Sequence, residues 1–175
     1  MRKLSLIGAG LSLALATAAI AGPPSGALHT TTVDGSVVNE NHYAAKPDVY
    51  ITGGPNNKAP GQGPRLDAGW YYFQVTDPSG KVLLSQDPIQ RRRFFVNAQG
   101  LITQALTHVT GVDLDDGDLT VQLWPFADTP NNGNVYKAWI TPVQHYSAGQ
   151  GQHGFLGKYS KTDNFKVLDP DCGCE

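Results

Sequence analysis

Gly69-Trp70-Tyr71-Tyr72-Phe73-Gln74-Val75-Thr76 is the stretch whose reading decides the fold class. Tyr71, Phe73 and Val75 fall on one side of an extended chain; Trp70, Tyr72, Gln74 and Thr76 fall on the other. Period-two alternation in aromatic and β-branched residues is the pattern of a half-buried strand. Asp77-Pro78-Ser79-Gly80 follows. Asp accepts backbone hydrogen bonds and Pro presets φ at the next position, which is type I turn chemistry. Lys81 to Ser85 is then expected to return as the second strand of a hairpin.

The same reading extends outward in both directions. Downstream, Arg93 to Val96 reads as a strand closed by the turn Asn97-Ala98-Gln99-Gly100, and Leu101 to Val109 as a strand or a short helical piece. Leu119, Val121 and Leu123 alternate with Thr120, Gln122 and Trp124, and Pro125 ends that strand. In Val135 to Val143, Tyr136, Ala138 and Ile140 stand opposite Val135, Lys137 and Trp139. Phe165 and Val167 mark a last strand. Upstream, Val49 to Thr52 is β-prone and stops at Gly53-Gly54-Pro55, with a Gly/Pro/Asn loop to residue 64. Residues 147–157 form a second Gly-rich loop. About seven short strands between turn signals, with no amphipathic helix, predict an all-β, Ig-like antiparallel Greek-key β-sandwich.

The organisation follows from what flanks these strands. Met1-Arg2-Lys3 opens the chain, residues 4–20 carry no charge, and Ala19-Ile20-Ala21 is the small-x-small pattern of a signal-peptidase site. Residues 1–21 are therefore expected to be an export signal, cut before Gly22. The run is short and Ala-rich for a bilayer span, so no transmembrane segment is expected after cleavage. Residues 22–46 read as a partly mobile leader, with a weak hairpin around Asp34-Gly35. Residues 47–168 are the β-domain and 169–175 a Cys-Gly-Cys tail.

Cleavage removes 21 of 175 residues and leaves 154, enough for one domain with its own core. The formal net charge of −2 becomes −4 once Arg2 and Lys3 are lost. A mildly acidic chain is a poor ligand for nucleic acid, whose phosphates need a basic surface. The cysteines, Cys172 and Cys174, sit two apart in the tail. A disulfide between them would be strained and would close almost no loop. Pairing with another chain is the alternative in an oxidising compartment. The oligomeric state is not legible.

Leu66-Asp67-Ala68-Gly69-Trp70-Tyr71, continuing to Gly80, resembles the Leu-x-x-Gly-x-Tyr hairpin of collagen-adhesin B-type and SdrD B-like domains of bacterial surface proteins. Tyr136 to Val143 and Lys161 to Val167 are similar to segments of secreted bacterial proteins carrying such modules. The resemblance implies a prealbumin-like sandwich serving as stalk, spacer or adhesive module. It also implies a Lys–Asn isopeptide bond promoted by a buried acid, for which Lys46 and Asn164 are the candidates. This chain departs from that pattern in the acid. Its Glu residues are Glu40 and Glu175, so Asp67 or Asp77 would have to serve.

Other candidate sites come from the residues themselves. Asp113, Asp115, Asp116 and Asp118 surround Gly117, and clustered carboxylates in a loop suit Ca²⁺. The place twelve positions along from Asp113 is Trp124, not the Glu of an EF-hand, and a solvated acidic turn is the other reading. Trp70, Trp124 and Trp139 lie opposite Tyr71, Leu123 and Ile140. Exposed, they would stack sugars or mark an interface; otherwise they are buried. The five histidines show no metal-ligand spacing and read as loop residues. Arg91-Arg92-Arg93 reads as protection for a strand edge or as a contact for an acidic polysaccharide or partner. No Gly-x-Ser-x-Gly elbow is present, and the scarcity of Glu argues against a glycosidase pair. The expectation is a non-catalytic, secreted or cell-surface structural or adhesive module, with an extracellular protein or polysaccharide as partner and, at most, calcium as cofactor. A carbohydrate-binding module using Trp and Tyr, and a hydrolase with a dispersed site, are the alternatives.

Overall fold

The computed structural model describes residues 22, 24–37, 42–54 and 64–168. The expected export signal (1–21), most of the 53–64 loop, Glu40, Cys172 and Cys174 lie outside the described residues. Ten strands are present: β1 (Ala27–Thr31), β2 (His42–Tyr43), β3 (Tyr50–Gly54), β4 (Gly69–Thr76), β5 (Arg93–Val96), β6 (Ile102–Ala105), β7 (Thr110–Val112), β8 (Leu119–Gln122), β9 (Val135–Pro142) and β10 (Lys161–Val167). Three 3₁₀ turns are the only helical pieces among the described residues. No helix there is long and apolar enough to cross a membrane.

The strands form a four-stranded sheet, β1-β3-β8-β7, and a six-stranded sheet, β2-β10-β9-β4-β5-β6. Tyr71, Phe73 and Val75 of β4 are fully buried, as the alternation requires, and so are Tyr136, Ala138 and Ile140 of β9. They share one core with Leu28, Ile51, Val121 and Leu123 of the other sheet and its extension. Tyr71 stacks on Phe94 at 5.5 Å, and Tyr136 stacks on Phe165 at 5.3 Å. Each fully buried ring of this kind contributes roughly 1.5–3 kcal/mol of burial free energy.

Several expectations change in three dimensions. The strands outnumber the seven or so expected because the stretch read as a leader supplies β1 and β2 and the stretch before the acidic turn supplies β7. β1 pairs along β3 from Ala27↔Gly54 to Thr31↔Tyr50, so Asp34-Gly35 turns the chain without closing a local hairpin. One pair is parallel: β2 beside β10. Lys81 to Ser85 is not a full strand. It makes isolated bridges, Thr76↔Leu83 and Ser85↔Phe126. Residues 82–85 do lie beside the end of β4, where Leu84 N donates to Val75 O (2.9 Å), but β5 takes the same edge of β4 from Gly69 to Tyr72, so the pairing stops after two residues. Leu101 to Val109 resolves as β6 and a crossing to the other sheet, where Val109 O accepts from Gln122 N at 2.9 Å.

Among the described residues, no strand pairs with the far side of β1. There Asp163 of β10 accepts from Thr30 N (2.7 Å) and Thr30 Oγ1 (2.8 Å), so a carboxylate occupies the edge. On the outer face of the six-stranded sheet, residues 143–160 lie as a strap. Gln74 Nε2 donates to Gln152 O (2.9 Å), and Thr141 Oγ1 donates to Tyr159 O (3.2 Å). The strap bends back at Gly154, whose φ is +97; a Cβ there would lie 2.2 Å from the Tyr146 ring.

Candidate functional site

The acidic turn is the first place to look for a cation, and its carboxylates do not converge. Asp113 N donates to Asp118 O (2.7 Å) and Gly117 N to Asp113 O (2.9 Å), which closes the β7–β8 hairpin. Asp113 Oδ1 accepts from Asp115 N at 2.9 Å, an Asx turn. Asp116 Oδ2 meets Arg65 at 3.1 Å. Asp118 points the other way, into the protein, where it accepts from Ile102 N of β6 and, at 3.2 Å, from Thr52 Oγ1 of β3. It thereby ties the two sheets together. Burial, reinforced by the neighbouring Asp116, pushes its carboxyl up to about 8. Burial also raises Asp113, against the bond from Asp115. No group of three His, Cys, Asp or Glu among the described residues could hold a metal ion.

The other sequence candidates separate as well. Lys46 pairs with Asp128, and Asn164 is exposed on β10 opposite Lys137. The three tryptophans all turn away from the shared core, with different outcomes. Trp139 is 8% exposed, because the strap covers it and its Nε1 donates to Thr76 Oγ1 at 2.9 Å. Trp70 is half-buried, with Phe95 at 5.3 Å and the Arg93 guanidinium 4.4 Å above its ring. Trp124 is 39% exposed on the other sheet's extension. They form no row.

Trp124 instead borders a cleft of about 200 Å³ lined by Asp87, Arg91, Thr107, His108, Val109, Gln122 and Pro125. Its floor is the end of β8, running into the cis Trp124–Pro125 bond. One wall is the turn before β5, where Arg91 N donates to Pro88 O (2.9 Å) and Arg92 N to Ile89 O (3.1 Å). The opposite wall is the β6–β7 crossing. Thr107 Oγ1 bridges the walls by donating to Arg91 O at 3.1 Å.

Behind the cleft sits a polar cluster. His108 Nδ1 lies 2.8 Å from Gln122 O, and Nε2 lies 3.0 Å from Asp87 Oδ2. Both partners are acceptors, so ring and carboxyl share two protons: one on Nδ1, one between Nε2 and Oδ2. Arg92 Nε is 3.7 Å from Asp87 Oδ1, and Arg92 donates from its terminal nitrogen to Phe73 O at 3.1 Å. Burial pulls the Arg92 pKa below the ordinary guanidinium value, and Asp87 opposes that pull. The side chains of Arg92 and His108 are only 5% and 4% exposed. The cluster therefore braces the cleft from the protein side.

The run Arg91-Arg92-Arg93 does not guard an edge, since β6 covers β5. Its members point three ways: Arg91 into solvent at the cleft, Arg92 inward, Arg93 over Trp70. Asp87 was not singled out from the sequence, and Arg92 and His108 were read only as part of the arginine run and of the loop histidines. One signal was available for Arg92: in phase with Phe94 and Val96, it stands at a core-facing position of its strand and needs a buried partner. His29 lies on β1 and is 8% exposed, and His108, though in the β6–β7 crossing, has a buried side chain; neither is the exposed loop residue that was expected.

In comparisons with known proteins, no family, no curated protein and no solved structure matches this chain.

Proposed function

We propose that the chain is a non-catalytic structural or adhesive module of the bacterial cell exterior. In this reading residues 1–21 direct export and the two sheets form a Greek-key, prealbumin-like sandwich of the adhesin B type. The carrying observation is the state of the acid–base groups at the cleft. His108 spends both ring nitrogens on Gln122 O and Asp87, and Asp87 is held between His108 and Arg92. A general base needs a free lone pair within reach of a substrate proton. The only hydroxyl lining the cleft, that of Thr107, donates to Arg91 O. The test is incubation of the exported chain with reporter esters, glycosides, peptides and phosphate esters. No product above buffer is expected; release that scales with chain concentration would replace this reading with a hydrolase. The intact mass of the exported chain should lack residues 1–21.

A second reading, carbohydrate binding, draws on the exposed Trp124 ring at the cleft. It is compatible with the first, because adhesion to a polysaccharide needs no turnover.

A further inference from the structure

We infer that the Trp124 cleft is a subsite for one acidic sugar residue, a pyranose bearing a carboxylate, within an anionic polysaccharide. The inference rests on the chain being a non-catalytic, polysaccharide-adhering module.

Size limits the occupant first. Drug-sized ligands occupy pockets of roughly 300 Å³ and above. A cleft of about 200 Å³ takes one ring-sized group. The lining then selects its chemistry. Trp124 and Val109, 39% and 57% exposed, offer an aromatic face and an aliphatic wall. A pyranose presents a C–H face to such a ring and hydroxyls around its rim. Thr107 Oγ1 donates to Arg91 O and keeps its own lone pairs for a ligand hydroxyl.

Charge fixes the sign. Asp87 is balanced by Arg92 and His108 behind the cleft. Arg91 lines it, is exposed, and has no ion-pair partner among the described residues. The mouth is therefore locally cationic in a chain whose net charge is negative. A guanidinium matches a carboxylate bidentately and does not match a neutral sugar in that way. The walls are already fixed by the Thr107–Arg91, His108–Gln122 and His108–Asp87 contacts, so little ordering cost accompanies binding.

The test is calorimetric titration of the full exported chain with trigalacturonate, with the uncharged trigalactoside, and with benzoate as a ring-plus-carboxylate control. Trigalacturonate should bind about tenfold tighter than either, and the gap should narrow at high salt. Trp124→Ala should weaken trigalacturonate about tenfold or more. Arg91→Gln, at an exposed position, should erase the preference over the neutral trisaccharide. Arg93→Gln, whose side chain lies over Trp70, should leave that preference intact. Equal affinity for charged and neutral trisaccharides would overturn the acidic-sugar assignment. Benzoate binding as tightly as trigalacturonate would overturn the sugar. Binding unaffected by Trp124→Ala, or no binding at all, would overturn the subsite. The trisaccharide's mass after incubation reports separately on the parent reading: cleavage would make the chain a hydrolase and leave the subsite standing.

Discussion

Two polar clusters in this protein invite opposite readings. Asp113, Asp115, Asp116 and Asp118 are neighbours in sequence and look like a cation site, yet they diverge: one caps its own turn, one meets Arg65, and one ties the sheets together. Asp87, Arg92 and His108 are scattered over twenty-two positions and converge behind a cleft. Proximity along the chain places side chains near one another only when the backbone presents them to the same side. A tight hairpin turn sends successive side chains in different directions. Convergence instead comes where strands from separate parts of the chain meet.

The comparison is sharpest where a buried charge loses its counterpart. Asp87→Ala leaves Arg92 in the interior with Phe73 O alone, and should cost about 3–5 kcal/mol in urea unfolding. A loss under about 1 kcal/mol would mean the cluster does not brace the fold. Asp118→Asn should act in the opposite direction, because Asn accepts from Ile102 N and donates to Thr52 without a charge to desolvate. The folded carboxyl titrates at about 8 against an ordinary 3.8. The folded state thus keeps a proton that the unfolded chain has lost. That contribution is complete below pH 3.8, declines as pH rises, and is gone above about 8. Between those limits the natural chain should lose stability while the Asn variant stays flatter, and at pH 8 the variant should lead by up to about 5 kcal/mol. A variant that is less stable at pH 8 would show that Asp118 is ionised in the fold. Arg65→Gln removes a half-exposed ion pair with Asp116 and should cost about 0.5 kcal/mol. Smallest is millimolar calcium. Chelation by the turn requires Asp118 to abandon Ile102 and Thr52, so the unfolding midpoint should move by less than about 1 °C. A larger rise that Asp115→Asn abolishes would restore the acidic turn as a cation site.

Much of the fold was legible because alternation is a local property. β4 and β5 have the predicted bounds, while the choice of core face, left open between the Tyr71, Leu123 and Ile140 side and the Trp side, was made by the tertiary structure in favour of the former. Lys81 to Ser85 returns beside β4 as read but pairs only with its last residues, because β5 holds the rest of that edge. The candidate site was less legible. Trp124 was singled out, and the arginine run was noticed, but Arg92's phase with Phe94 and Val96 was not used. Nothing in the spacing of Asp87 and His108 announces that they meet.

Sequence by itself determined that this chain builds mostly strands and that their residues alternate between two faces, because period two and turn chemistry are written in neighbouring residues. Only the tertiary structure decided which strands share a sheet, that a strap buries Trp139 while Trp124 stays open, and that Asp87, Arg92 and His108 stand together. Those outcomes depend on contacts between residues far apart in the chain, and local pattern carries no record of them.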